Sequence, residues 1–283
     1  MSEETKRSLV EEFETRPLTP ETVGEAGFAW LGRQFLGFIE ETGSVGLLFF
    51  RSLASIPSAG KYARQIFDQM SAIGVGSMPL AIIVALFTGA VAAVQAAYQL
   101  EGVVPLRYIG AVIMRSVFIE LGPVLTALVV GGRVGASMAA EIGTMKVTEQ
   151  VDALEVLAID PTRYLVMPRL LAAIVMLPML TIFADAVAIF GGFVVATLSF
   201  DQSPHTYTQA LKQFFHLKDL TSGLFKAGFF GIVIAMMGCH YGLRTEGGAE
   251  GVGLSTTRAV VASSILILVS DYVLANLLFR VSF

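Results

Sequence analysis

The chain has 283 residues, of which 54% are hydrophobic and 15% are charged, and its mean hydropathy is +0.71. These proportions exclude an ordinary soluble domain, because a water-soluble fold cannot bury so much apolar surface. The formal net charge of −4 and the absence of a polybasic run give no support for a nucleic-acid partner. The composition therefore predicts an integral membrane protein.

The first 60 residues divide into two predicted segments. Residues 1–25 are acidic, contain Pro17 and Pro20 and show little apolar periodicity, so we expect a loosely ordered tail on the cytoplasmic side. Residues 26–60 repeat apolar side chains at helical spacing, which predicts an amphipathic helix in the membrane interface. A helix buried against soluble protein is the alternative. The apolar positions are Phe28, Leu31, Phe35, Phe38, Val45, Leu48, Phe49, Leu53 and Ile56.

Residues 61–283 are predicted to form an all-α membrane domain. They contain five apolar blocks, and each is long enough for a helix that crosses a bilayer, which needs about 20 residues. The blocks cover approximately residues 78–100, 109–132, 168–199, 222–242 and 259–280. Small residues in the first block favour close helix contacts, including a contact with a second copy of the chain. They are Gly89, Ala90, Ala92, Ala93, Ala96 and Ala97.

The distribution of lysine and arginine predicts the orientation of these blocks. One side of the membrane receives Lys61, Arg64, Lys146, Arg163, Arg169, Arg244 and Arg258, and the other receives Arg107, Lys212, Lys218 and Arg280. The side richer in positive charge is expected in the cytoplasm. The N-terminus and segments 133–167 and 243–258 are therefore predicted to be cytoplasmic, and the C-terminus is predicted to be periplasmic.

The segment 133–167 is too polar to cross the membrane but has a helical period. Its apolar residues are expected to share one helix face, and Asp160-Pro161 is expected to end the helix, because a proline disfavours helical geometry in the preceding residue. Such an exposed amphipathic helix suits a docking element for a soluble partner, and an ordinary solvated loop is the alternative. The apolar residues are Ile142, Met145, Val151, Leu154 and Leu157.

Five ionisable residues lie inside the apolar blocks, where each is costly unless it is paired or solvated. They are Arg115, Glu120, Asp185, Lys226 and Asp271. Lys226 can supply the opposite charge for Glu120 or Asp271 from another helix. Structural pairing, a role in transport and, for Arg115 and Lys226, snorkelling to an interface are three open interpretations.

The sequence contains no recognisable catalytic or metal-binding motif. The glycine-rich stretch 246–253 lacks the lysine and hydroxyl residue of a phosphate-binding P-loop, so any ATP hydrolysis must belong to another chain. Neither a nucleophile elbow nor a zinc-protease helix is present. Cys239 is the only cysteine, and the three histidines are too scattered to bind a metal together.

Several motifs carry a resemblance to one family. They are Glu120-Leu-Gly-Pro123, Gly132-Arg-Val-Gly135, Ala140-Glu-Ile-Gly-Thr144, Val147-Thr-Glu-Gln-Val-Asp-Ala-Leu154, Asp160-Pro161 and Pro168-Arg169, with further matches at Arg64-Gln65, 74–79, Thr256-Thr-Arg258 and Asp271. This pattern resembles the MlaE permease family, called YrbE in Mce systems, over roughly residues 60–280.

The resemblance implies a permease subunit of an ABC transporter in the bacterial inner membrane that moves phospholipid or a related lipid. It implies three protein partners: a second copy of the chain, a cytoplasmic ATPase that holds ATP and magnesium, and a periplasmic lipid-binding MCE-domain protein. The chain itself is then expected to bind no cofactor and to catalyse no reaction. The alternative function is a secondary transporter or channel that an ion gradient drives through the buried carboxylates.

The resemblance also implies roles for individual residues. Those expected to couple to the ATPase are Glu141, Gly143, Thr144, Lys146, Glu149, Gln150, Asp152, Leu154, Asp160 and Pro161. The intramembrane polar residues are Arg115, Glu120, Lys226 and Asp271, and the last three match polar positions at which the family is expected to link helix movement to substrate passage. One position departs from the family pattern: Ile119 precedes Glu120, where relatives commonly have an arginine.

Overall fold

The computed structural model describes residues 20–100 and 105–282, and the regular structure in these ranges is helical. The chain separates into two compact units, residues 1–47 and 48–283. Helix α1 begins at Pro20, before the predicted end of the tail at residue 25, and ends at Ala54. The acidic residues 1–19 and the aromatic side chains of 26–35 lie outside the described part, so the tail and the interfacial position of α1 stay predictions.

The helices that follow α1 belong to the second unit. After a 3₁₀ turn at Ile56–Tyr62, α2 spans Ala63–Leu100, α3 spans Ile109–Val147, α4 spans Gln150–Val156, α5 spans Thr162–Ser199, α6 spans Pro204–Phe214, α7 spans Leu217–Leu243 and α8 spans Gly248–Ser282. Helix α5 packs against α2 and α7, and α8 packs against α7 and α3.

Five of these helices, α2, α3, α5, α7 and α8, are long and apolar enough to cross a membrane. This confirms the all-α membrane fold and the number of predicted crossings. The helices extend beyond the apolar blocks, since α3 continues to Val147 and α8 starts at Gly248. Helical hydrogen bonding therefore persists into polar segments that a hydropathy criterion does not detect.

Glycines allow α2 and α5 to pack with their backbones in contact. A Cβ atom at Gly89 would overlap the backbone oxygen of Ala188, and one at Gly191 would overlap that of Leu86. Only a residue without a side chain fits at such positions. The close helix contact predicted from the small residues of the first block is thus made within the chain. Gly89 and its buried alanine neighbours pack within the chain, and the contact with a second copy stays a prediction.

Helix α3 contains two π-turns, Val117–Leu121 and Gly131–Gly135. In the first, the N–H of Gly122 donates to the carbonyl of Val117, and the next residue, Pro123, has no N–H to donate. A π-turn inserts an extra residue into one turn and so redirects the side chains around it, which is why such turns are common at functional sites. Each of these turns carries a charged residue, Glu120 in the first and Arg133 in the second.

The α2–α5 contact gives a stability test. We expect Gly89→Ala to lower the midpoint of heat-induced loss of the monodisperse peak in detergent, because overpacking a tight contact costs about 1–3 kcal/mol. The matched control is Gly253→Ala on α8, where a Cβ atom meets nothing within 4 Å. Equal midpoints for the two variants would contradict the close backbone contact.

Candidate functional site: charged residues in the helix bundle and the loop between α3 and α5

Lys226 connects three helices through two ion pairs. Its Nζ lies 2.7 Å from Glu120 Oε1 on α3 and 2.9 Å from Asp271 Oδ1 on α8. The Lys226 side chain is only 1% exposed, whereas those of Glu120 and Asp271 are 38% and 20% exposed. We call these three residues the Lys226 cluster. Both carboxylates that the sequence offers as partners are thus used together, and they offset the cost of burying the ammonium group.

Arg115 does not join this cluster. Its Nε lies 3.0 Å from Asp219 Oδ2 in the first turn of α7, and Glu120 lies five residues further along α3, inside the π-turn Val117–Leu121. Sequence reasoning missed Asp219, because the fourth apolar block appeared to begin at residue 222. The sequence signal that could have identified Asp219 was an acidic residue near the N-terminus of a helix, where the helix dipole favours negative charge.

A cavity of about 430 Å³ opens beside the two sets of ion pairs, between α3, α7 and α8. Arg115, Lys218, Asp219 and Lys226 contribute its charged lining, and Ile119 is part of its wall. A cavity with a few charged groups set among apolar helices suits a ligand with both a polar and an apolar part. Ile119 adds no charge to this wall. Because Lys226 is paired within the cluster and Arg115 is paired with Asp219, Lys218 is the remaining cation among the described lining residues.

Asp185 lies apart from these charges. Its side chain is buried in α5, and its Oδ1 has no hydrogen-bond partner among the described residues. A Cβ atom at Gly122 would overlap this carboxyl group. The glycine of the Glu120-Leu-Gly-Pro123 motif therefore makes room for Asp185 directly after the first π-turn of α3.

The loop between α3 and α5 is not one helix. The chain turns at Thr148 and Glu149, and Glu149 has a left-handed backbone with φ 60°. Lys146 Nζ lies 2.6 Å from Asp152 Oδ1 across this turn, and Gln150 Nε2 donates to Thr148 Oγ1 at 3.1 Å. The prediction that the apolar residues of this segment share one helix face is therefore wrong, because the chain changes direction after Val147.

Asp160 and Pro161 start a helix rather than end one. Helix α4 already ends at Val156, and Asp160 Oδ1 accepts a hydrogen bond of 2.9 Å from the N–H of Thr162. An acidic side chain that caps the N-terminus and a proline in the first turn are both favourable at this point. The prediction that this pair stops the preceding helix is thus corrected.

The end of α4 exposes two adjacent apolar side chains, of which the sequence assigned only Leu157 to the expected docking face. Val156 is 87% exposed and Leu157 is 69% exposed, whereas Val151 is buried and Leu154 is partly buried. Adjacent exposed apolar residues on a polar loop are unusual unless another protein covers them. The missed signal was the Val-Leu pair that follows Glu155.

The remaining loop residues fix the loop to the bundle. Arg169 Nη2 lies 2.9 Å from Glu141 Oε2, and a Cβ atom at Gly143 would lie 2.7 Å from Thr245 Oγ1, so Gly143 lets α3 approach the end of α7. The carbonyl of Thr144 accepts from both the N–H and the hydroxyl of Thr148. The contacts of Glu141 and Gly143 attach the loop to the ends of α5 and α7.

Residues 66–277 match the protein-family model described as Permease MlaE. This range contains the Lys226 cluster, the loop and every lining residue of the cavity except Leu278. The chain belongs to the MlaE permease family.

Individual relatives agree with this membership. A probable ABC transporter permease protein of Rickettsia typhi is 42% identical over 251 residues, which are 89% of this chain and 97% of that protein. One of Synechocystis is 44% identical over 217 residues, 77% of this chain and 82% of its own. The intermembrane phospholipid transport system permease protein MlaE of Haemophilus influenzae is 32% identical over 250 residues, 88% of this chain and 96% of its own. The present MlaE-family chain is thus a multi-pass permease subunit of the ABC transporter type.

The Lys226 cluster of this MlaE-family permease can be tested by stability. We expect Lys226→Met to lower the thermal midpoint strongly, because it leaves two carboxylates without their cation, and breaking a buried ion pair costs about 3–5 kcal/mol. Adding Glu120→Gln and Asp271→Asn to the same chain should restore most of the loss. A Lys226→Met variant as stable as the parent chain would contradict this description of the cluster.

Proposed function

We propose that this permease moves phospholipid between the bacterial inner membrane and a periplasmic lipid-binding MCE-domain protein, and that a separate cytoplasmic ATPase supplies the energy. Membership of the MlaE permease family carries the proposal, together with the phospholipid transport for which the Haemophilus influenzae relative is named. The bundle adds physical support, because a charged cavity set among apolar helices suits a molecule with a polar headgroup and apolar tails.

The orientation in this proposal follows the positive-inside rule. The N-terminus and the loop that contains Lys146 face the cytoplasm, and α6 and the C-terminus face the periplasm. Helix α6 is amphipathic, with Tyr207 and Ala210 buried and most of its polar side chains exposed. It lies at the end of the bundle where the periplasmic partner would receive lipid.

The ATPase is proposed to bind the loop between α3 and α5. Val156 and Leu157 supply an apolar contact, and Glu149 and Asp152 lie close by on the same short segment. Since α3 runs without interruption from Ile109 to Val147, displacement of the loop is transmitted along one helix to Glu120. Nucleotide-driven movement of the ATPase would thereby reach the Lys226 cluster.

The Lys226 cluster is proposed to couple that movement to lipid passage. Its three members lie on α3, α7 and α8, so a shift of α3 must either move the other two helices or break an ion pair. A second copy of the chain is also proposed to complete the transport pathway, as the resemblance to the family implies.

Co-purification tests the ATPase contact. We expect Val156→Asp combined with Leu157→Asp to reduce the amount of ATPase that co-purifies with the chain by about tenfold, as loss of a central apolar contact does at protein interfaces. Asp152→Lys should act in the same direction, because it also breaks the ion pair with Lys146.

The matched control is Gln209→Asp combined with Gln213→Asp, which adds the same two negative charges to exposed positions on α6. It should leave the ATPase bound. Unchanged co-purification of ATPase with both loop variants would contradict the docking proposal, and loss with the control as well would show that added charge alone is responsible.

A further inference from the structure

Asp185 is a carboxyl group buried in α5 without the partners that such a group normally has. Its relative exposure is 2%, and its Oδ1 has no hydrogen-bond partner among the described residues. The other two carboxyl groups inside the spanning blocks, those of Glu120 and Asp271, both accept from Lys226. Burying an isolated carboxylate is so costly that the group normally takes up a proton instead. The burial of Asp185 therefore calls for a proton or for a ligand that replaces it.

The carboxyl group of Asp185 faces the first π-turn of α3. A Cβ atom at Gly122 would overlap Asp185 Oδ1 and would lie 2.9 Å from the carbonyl oxygen of Val117. The carboxyl oxygen and the carbonyl oxygen thus converge on one side of Gly122. Both are acceptors when Asp185 is ionised, and they then repel each other. A proton on the carboxyl group makes it a donor and replaces this repulsion with a hydrogen bond.

The π-turn has backbone acceptors that its own N–H groups do not use fully. The carbonyl of Val117 accepts from the N–H of Gly122 and has a second lone pair. In the pattern of a π-turn the next N–H would serve the carbonyl of Phe118, but the next residue is Pro123, which has none. Since buried carbonyl groups are normally paired, a donor from a neighbouring helix stabilises the turn.

The same turn connects Asp185 to the Lys226 cluster. It contains Glu120, which pairs with Lys226 of α7. A Cβ atom at Gly223 of α7 would overlap the carbonyl oxygen of Phe118. The turn is therefore enclosed by α5 on one side and by α7 on the other. A change in its hydrogen bonding acts directly on the residue that accepts from Lys226.

The helices around α5 supply no free cation for Asp185 in the described part of the chain. Helix α2 has no titratable side chain between residues 68 and 98. In the two sets of ion pairs between α3, α7 and α8, each cation already has a carboxylate. Lys218 is exposed in the first turn of α7, and Arg133 of α3 is held against α2. Tyr207 of α6 donates its hydroxyl to a backbone carbonyl of α5.

We propose that Asp185 is a proton-binding site that controls the first π-turn of α3. Its carboxyl group is protonated in this structure and donates its O–H to the backbone carbonyl of Val117. Loss of the proton places a negative charge against that carbonyl, loosens the turn and weakens the pair between Glu120 and Lys226. The inference goes beyond the proposed function, because it names a proton as a regulating ligand and holds for any molecule that the permease moves.

Infrared difference spectroscopy of the full chain in detergent at neutral pH tests the protonation directly. A protonated carboxyl group has a C=O stretching band that is separate from the bands of carboxylates and amides. We expect the spectrum of the parent chain minus that of Asp185→Asn to contain this band. The matched control is Asp271→Asn, which removes an aspartate that is paired with Lys226. This control should leave the band in place.

The pH dependence of the thermal midpoint supplies a readout that a merely structural role would not change. An aspartate of the unfolded chain is ionised above about pH 4, so a carboxyl group that keeps its proton only in the folded chain stabilises the fold less as the pH rises. We expect the midpoint of the parent chain to fall more between about pH 6 and about pH 9 than that of Asp185→Asn. The amide of this variant supplies a donor at every pH. Asp185→Leu, which supplies none, should be less stable than Asp185→Asn throughout.

A double-mutant cycle tests the connection between Asp185 and the Lys226 cluster. If Asp185 holds the turn that carries Glu120, the losses of thermal midpoint in Asp185→Leu and Glu120→Gln should not add in the double variant, because the two residues act on one element. Additive losses would overturn the control of Glu120 by Asp185.

A parent chain without the protonated band, or a band that Asp185→Asn leaves unchanged, would overturn the proton site. So would a band-free parent chain that sodium stabilises relative to choline, since the carboxylate would then hold a cation. If Asp185→Asn fails to fold, the parent chain with carbon-13 in its aspartate carboxyl groups decides, because the band must shift with the label. These measurements involve neither lipid nor ATPase, so failure of the proton site and failure of the proposed function give different results.

Discussion

Two sets of ion pairs with opposite polarity fix the position of α3 relative to α7. Near the start of both helices, α3 supplies the cation, Arg115, and α7 supplies the anion, Asp219. Deeper in the bundle the order reverses, because α3 supplies Glu120 and α7 supplies Lys226. A shift of α3 along α7 by the distance between the two pairs would bring Glu120 towards Asp219, and like charges repel strongly where water is scarce. The opposite order of charges in the two ion pairs thus favours a single position of α3 along α7.

This constraint gives the long helices a mechanical role. Asp271 attaches α8 to the same lysine, so three helices share one buried ammonium group. The other end of α3 is fastened to the bundle by Glu141 with Arg169 and by the close approach of Gly143 to Thr245. A force on the loop therefore acts on a continuous helix that is tied at both ends, and it changes either the helix positions or the ion pairs. Flexible connections would absorb the same force.

Features of this structure that depend on local sequence were predicted, and features that depend on contacts between distant segments were not. The apolar blocks identify the five crossings, because hydropathy is a local property of the sequence. The cost of a buried charge identifies Lys226 and its two carboxylates, because that argument needs only the sign of each charge. The partner of Arg115 escaped prediction because Asp219 lies at a helix end that hydropathy does not mark. The turn at Glu149 was missed because a non-glycine residue with positive φ has no reliable sequence signal. The close approach of Gly122 to Asp185 depends on a neighbouring helix, which only the folded chain supplies.

The proposed transport mechanism requires the loop and α6 to face opposite sides of the membrane, and cysteine labelling tests this directly. Cys239 is the only cysteine of the sequence and is buried, so Cys239→Ala provides a background for Glu155→Cys in the loop and Lys212→Cys on α6, both at exposed positions. A membrane-impermeant maleimide should label Lys212→Cys in right-side-out vesicles and Glu155→Cys only in inverted ones. Labelling of Glu155→Cys from the periplasmic side would contradict the proposed ATPase contact and the transport mechanism that follows from it.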